Sequence, residues 1–149
     1  MKLVAQNRKA RHEYTIIETI ECGISLWGTE VKSLREGNAN LVDAYAVLDK
    51  AEIVLRGFYI KPYSHTSQRT LDARRDRKLL LHKREILKLI GRINEKGLTL
   101  VPLKVYFNDR GLAKVEIAVA KGKRIHDKRR DIAKRDADRD LERELKDRH

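Results

Sequence analysis

The sequence predicts a mainly β fold, a small antiparallel β-barrel with peripheral helices that ends in a charged C-terminal tail. Three observations point there. Short runs of β-branched and aromatic residues recur through residues 1–120, punctuated by glycine, proline and Asn-Asp turn signals. Ala113, Val115, Ile117 and Val119 alternate with Lys114, Glu116, Ala118 and Ala120, the period of a strand. Residues 121–149 hold twelve Lys/Arg and eight Asp/Glu, with only Ile125, Ile132, Leu141 and Leu145 as large apolar side chains.

Taken in order, residues 1–12 read as a short basic arm (Lys2, Arg8, Lys9, Arg11, His12). Tyr14, Thr15, Ile16, Ile17, Thr19 and Ile20 then form a strand. A second apolar stretch, 24–27, lies between Gly23 and Gly28, which are read as bends or bulges. Thr29 is placed as the N-cap of a short helix. Glu30 sits in its first turn, where the helix dipole favours an acid, and Gly37 ends it. Residues 44–48 and 52–60 form a hairpin around Asp49-Lys50-Ala51, with Pro62 closing its second strand.

Residues 64–78 (SHTSQRTLDARRDRK) contain one large apolar residue, Leu71, and read as an exposed basic loop. Residues 79–96 have helical spacing, with Ile86, Ile90 and Ile93 on one face and Gly97 at the stop position. Strands 98–107 and 112–120 are joined through Asn108-Asp109-Arg110-Gly111, where the glycine can take the left-handed conformation of a bulged hairpin. Pro102 lacks a ladder donor, so it marks an edge or a bulge.

The length suits one domain, residues 1–120, followed by the tail. The tail buries too little apolar surface to offset its ordering entropy, so alone it is expected to be disordered. It has no glycine after Gly122, and Ala133, Ala137, Leu141 and Leu145 recur every four residues, so a partner can make it helical. Helix-favouring pairs such as Asp131–Arg135 are offset by like-charge pairs such as Arg135–Arg139. The net charge is +12, shared as 22 basic against 14 acidic residues in 1–120 and 12 against 8 in the tail. That is the electrostatic footprint of a nucleic-acid binder.

Enzymatic function is not expected. The five histidines have no metal-ligand spacing, no phosphate-cradling glycine loop is present, and there is no G-x-S-x-G elbow. No metal, cofactor or small-molecule substrate is therefore expected. Cys22 is the only cysteine, so no internal disulfide can form and a reducing compartment fits. No apolar run approaches the ~20 residues of a membrane span; a cytoplasmic protein without membrane partners is the expectation. The basic clusters carry the binding hypothesis: Arg8, Lys9 and Arg11 for phosphates with Asn7 for a base or ribose, and the run Arg74, Arg75, Arg77, Lys78. Trp27, Tyr45 and the remaining aromatics are expected mostly in the core. That favours folded RNA, recognised by shape and phosphate, over a generic single strand.

The blocks NRKARHEY (7–14), GTEVKSLREG (28–37), RKLLLHKREI (77–86), GLTLVPLKVYF (97–107) and AKGKRIHDKR (120–129), in this order, resemble the SmpB family (small protein B, SsrA-binding protein) over nearly the whole chain. The resemblance implies an oligonucleotide-binding-like barrel that binds the tRNA-like domain of tmRNA in trans-translation, the rescue of stalled ribosomes. It implies elongation factor Tu as an indirect partner through alanyl-tmRNA. Mapped onto this chain, it implies RNA contacts at Asn7, Arg8, Lys9, Arg11, Glu30, Lys32, Arg35, Arg74, Arg77 and Lys78. It also implies that Lys121, Lys123, Arg124, His126, Asp127, Lys128 and Arg129 act at the small-subunit decoding centre, the tail beyond them being helical in the empty mRNA channel. The chain departs from the family pattern at Ala73, where a proline usually stands, and in the turn 49–52, which lacks a glycine. On composition alone, a structural or assembly-associated ribosomal protein binding folded rRNA is the alternative.

Overall fold

The computed structural model describes residues 1–63, 72–95 and 97–123. In chain order the elements are β1 (Lys2–Gln6), α1 (Ala10–Glu13), β2 (Tyr14–Ile24), α2 (Gly28–Arg35), β3 (Ala39–Asn40) and β4 (Tyr45–Asp49). They are followed by β5 (Glu52–Arg56), β6 (Tyr59–Ile60), β7 (Arg77–Leu80), α3 (Lys83–Ile93), β8 (Leu98–Phe107) and β9 (Ala113–Gly122).

The strands bond antiparallel in the order β8-β4-β5-β7-β2-β9, and β9 returns to β8 to close a ring. This is the mainly β barrel with few helices that the sequence predicts. Closure leaves β1, which pairs only with β8, as the edge strand of this sheet. Strand β8 makes the closure possible by changing partners along its length. Leu100 bonds across to Ala46 of β4, whereas Lys104 to Phe107 bond β1 on the same side, and β9 runs along the other side throughout. The bulge against β9 falls between Pro102 and Lys104, where proline has no N–H to give.

Inward-facing residues fill the barrel. Ile53, Leu55, Phe58, Leu79, Val105, Val115 and Ile117 are all essentially inaccessible, and each such side chain contributes roughly 1.5–3 kcal/mol by leaving water. Alternation along β9 places Val115, Ile117 and Val119 in this core. Ala118 and Ala120 face outward yet are buried as well, because Ala10 of α1 packs there with Val101 and Leu103.

Several expected elements are corrected. The basic arm opens with a strand over Lys2–Gln6, since Leu3, Val4 and Ala5 give β1 an apolar middle and β8 supplies its ladder. Helix α2 starts at Gly28 with Trp27, not Thr29, as its N-cap. Gly23 lies within β2 and is not a bulge; a Cβ there would come within 3.1 Å of the Leu80 Cβ across the ladder. The β2 bulge is instead between Ile16 and Glu18. The hairpin's second strand breaks at Gly57, whose φ of 74° ends β5 before β6 pairs with β3.

The helix expected over 79–96 begins only at Lys83, after His82, whose backbone N–H donates to Glu85 Oε1 at 3.0 Å. The preceding residues join the barrel as β7, against β5 and β2. The glycine-free turn is a two-residue hairpin turn with Lys50 (φ 48°) and Ala51 (φ 62°) both left-handed, which matches strand twist at some strain in each residue.

Candidate nucleic-acid interface

Strand β7 decides how the basic run 74–78 is used. Its period of two turns Arg77 and Leu79 into the barrel and leaves Lys78 and Leu80 outside. Arg77 is 1% exposed and is the largest fully buried side chain among the described residues. Its Nε donates to Glu30 Oε2 at 2.7 Å, Nη1 to the Phe58 carbonyl at 2.5 Å and Nη2 to the Ala73 carbonyl at 3.1 Å. Nη1 also reaches the Arg75 carbonyl at 3.3 Å. No buried side-chain nitrogen or oxygen among the described residues lacks a partner, as a buried guanidinium requires.

Glu30 is the anion of this network and is 6% exposed. As third residue of α2, it accepts the Trp27 backbone N–H at 2.9 Å, closing the helix N-terminus. Its other partner from the 74–78 run is Arg75, which donates from Nε to Oε2 at 3.2 Å and from Nη2 to Oε1. The Arg75 guanidinium lies 4.0 Å from the centroid of the Trp27 ring. Burial alone would raise the Glu30 pKa. The bonds from Arg75, the Trp27 N–H and Arg77 together outweigh it and hold the carboxyl below the ordinary glutamate value.

Glu30 and Arg77, both expected to touch RNA, are therefore interior. A guanidinium enclosed in this way has no donor left for a phosphate, so these two position their neighbours. Arg75, part of the expected basic run but not of the residues mapped from the family, and Trp27, expected in the core, stand where such contacts can occur. Trp27 is 47% exposed, against the expectation that it packs in the core, and Tyr45 is 50% exposed. The signal available for Arg75 is its place two residues before a strand whose first residue, Arg77, points inward.

Around this network Lys32, Arg35, Arg74 and Lys78 are exposed. Lys32 lies 5.4 Å from the Tyr63 ring, Arg74 is 5.5 Å from that of Tyr59, and Lys78 pairs with Glu52 at 3.1 Å. Arg35, at the far end of α2, stacks 5.4 Å from the Phe107 ring, and its carbonyl accepts Lys2 Nζ at 2.9 Å.

The N-terminal group is built elsewhere. Asn7 follows β1, donates its backbone N–H to the Leu103 carbonyl at 2.8 Å, and donates Nδ2 to the Pro102 carbonyl at 3.0 Å. The two bonds pin the β1–α1 turn onto the β8 bulge. Beside them opens a cleft of about 470 Å³, whose lining includes Asn7, Arg8, Lys9, Tyr14, Tyr45 and Thr99. Glu13 and Asp43 also line it, so its charge is mixed. Arg8, Lys9 and Arg11 are exposed.

Strand β9 ends at this same place. Gly122 pairs with Tyr14 and Lys121 with Thr15, and the Lys123 N–H donates to the Glu13 carbonyl at 2.9 Å. Lys121 and Lys123 are thus placed against the start of β2 and the end of α1. Arg124, His126, Asp127, Lys128 and Arg129 lie outside the described residues. Among the described residues no three His, Cys, Asp or Glu side chains could hold a metal ion, and no helix is long and apolar enough to cross a membrane. Cys22 is buried in the barrel, and burial, with the nearby Glu85 and Glu21 carboxylates, pushes its thiol up to about 12. A thiol so held is unreactive.

Comparison with known proteins bears on the whole chain. A family model described as "SmpB protein" matches residues 4–147. The SsrA-binding protein of Moorella thermoacetica is 55% identical over 148 residues, 99% of this chain and 96% of that relative. The SsrA-binding protein of Mycolicibacterium smegmatis is 58% identical over 144 residues, 97% of this chain and 89% of the relative. Among solved structures, a chain from the work described as "tmRNA-SmpB: a journey to the center of the bacterial ribosome" superposes with a TM-score of 0.66 at 51% identity, covering 83% of this chain and 90% of that one.

Proposed function

The chain belongs to the SmpB family, and from that footing we propose that it is an RNA-binding adaptor that binds tmRNA and works with it on the ribosome in trans-translation. The observation that carries this is 55% identity to an SsrA-binding protein over 99% of the chain. A barrel ringed by cations supports it physically, since phosphate neutralisation supplies most of the affinity of such a protein. The barrel, residues 1–123, holds the tRNA-like domain. Its exposed cations Lys32, Arg74 and Lys78 make phosphate contacts on one side, and Asn7, Arg8, Lys9 and Arg11 make contacts beside the cleft. The residues that follow Lys123 act in the decoding centre and the vacant mRNA channel. Elongation factor Tu engages the complex through alanyl-tmRNA, and the site of action is the cytoplasm.

Truncation tests the two-part division. The cut belongs after Lys123 and not after Ala120, because Lys121, Gly122 and Lys123 still bond to Leu98, Tyr14 and Glu13. The shortened chain should retain its affinity for the tRNA-like domain within a few-fold while peptide tagging on stalled ribosomes is lost. Equal loss of RNA affinity would refute the division.

A further inference from the structure

Trp27 has no role in the fold's interior, yet it is more firmly held than a stray surface aromatic. Its backbone N–H is fixed by Glu30 at 2.9 Å, and the Arg75 guanidinium lies 4.0 Å from its ring centroid. Arg75 is itself immobilised: Nε and Nη2 on the Glu30 carboxylate, Nη1 on the Asp76 carbonyl at 3.2 Å and Nη2 also on the Ser25 carbonyl at 3.5 Å. One buried carboxylate thus holds both the backbone of Trp27 and the cation stacked on its ring. Nearly half of Trp27 remains open to solvent, at 47%. Gly28, the next residue, has nothing within 4 Å of where a Cβ would sit, its chain neighbours and its own helix aside. A flat object can therefore approach beside the ring.

We propose that Trp27, backed by Arg75, is a stacking platform for one unpaired base of the bound RNA. This rests on the RNA-binding reading above and adds to it a base contact that the phosphate-binding cations do not provide. The surrounding charge selects a nucleic acid over an apolar protein segment. Lys32, Arg74 and Lys78 are exposed on the same elements, α2 and the 74–78 run. The nearby acids are already engaged, Asp76 by Arg56 at 3.3 Å and the Asp72 side chain by the Arg74 N–H at 2.9 Å. Stacking on an indole is sequence-tolerant because every base has a π face. Arg75 acts as a positioning residue: with each of its three nitrogens bonded, it stiffens the platform and polarises the ring.

Trp27 is the only tryptophan of the chain, so its emission reports on this site alone. Titration with a transcript of the tRNA-like domain should quench that emission at saturation. Trp27→Ala should weaken binding on the order of 10- to 100-fold, whereas Trp27→Phe should retain most of the affinity. Arg75→Lys should reduce the quench. Both Trp27 variants should fold, which far-UV circular dichroism checks, because the cap uses only the backbone of residue 27. RNA that binds with unchanged emission and equal affinity for Trp27→Ala would overturn the platform and leave the RNA-binding reading intact. Equal quenching by a fully paired hairpin stem would also overturn it, as an effect of charge. Failure of the intact chain to bind the transcript would remove the reading itself.

Discussion

The α2–β7 network and the N-terminal cleft are both bordered by exposed cations, but they are made in opposite ways. The first is organised around a buried carboxylate and a buried guanidinium, contributed by residues 47 positions apart in sequence. The second is organised by a turn that Asn7 bonds to a bulge through its backbone N–H and its side-chain amide, with Arg8 and Lys9 exposed at the rim. Interior ion pairs are strongly destabilising when halved, because the remaining charge is left uncompensated in a low dielectric. Rim charges contribute little to folding and much to association. Substitutions in the two regions should therefore fail for different reasons, even where both reduce RNA binding.

The largest expected effect is in the network. Glu30→Ala strands Arg77 and should destabilise the fold by about 3–5 kcal/mol, measured by urea unfolding. A loss under about 1 kcal/mol would erase the distinction between the regions. The same carboxyl gives a pH signature. Its native pKa lies below the ordinary value of 4.5, so its contribution is complete above pH 4.5 and declines as the pH falls through the native pKa. Glu30→Gln should flatten the acid limb of a stability–pH profile; an unchanged limb would indicate that other carboxylates dominate it.

In the cleft, Asn7→Ala removes one side-chain bond to the Pro102 carbonyl and should cost about 1 kcal/mol in stability. Its RNA affinity should fall by more than that stability loss explains. Affinity unchanged under conditions where the variant is fully folded would take Asn7 out of the interface.

The contrast also explains what could be read from the sequence. The β8–β9 hairpin was legible because its determinants are local: strict alternation, Gly111 with its φ of 76°, and Pro102 at the bulge. The antiparallel barrel followed from the spacing of such units. Strand β7 was hidden because Leu79-Leu80-Leu81 satisfies both a helical and a strand pattern. Only pairing with Val54, Leu55, Gly23 and Ile24 decides between them.

The fate of Arg77 was hidden for the same reason. Within RRDRK every residue reads as solvated until the strand is known, and the carboxylate that permits its burial is far away in sequence. Arg74 and Lys78 of that run, and Lys32 from the family mapping, lie on the surface, where Lys78 pairs with Glu52 and Arg74 bonds the Gly57 carbonyl. Trp27 is expected in the core with the strand aromatics; it stands half-exposed beside Arg75, a partner distant in sequence, with its backbone N–H on the nearby Glu30.

The most direct measurement is the salt dependence of affinity for the tRNA-like domain, compared between Arg74→Ala and the paired replacement Glu30→Gln/Arg77→Met. The paired change removes the buried charges together, which a core tolerates far better than removing one. We expect Arg74→Ala to lower the slope of log K against log salt by roughly 0.7–0.9, one phosphate's worth. The paired variant should keep the full slope, whatever affinity it loses through Trp27 and Arg75. A shallower slope for the paired variant, with Arg74→Ala unchanged, would contradict the division between positioning groups inside and phosphate contacts outside.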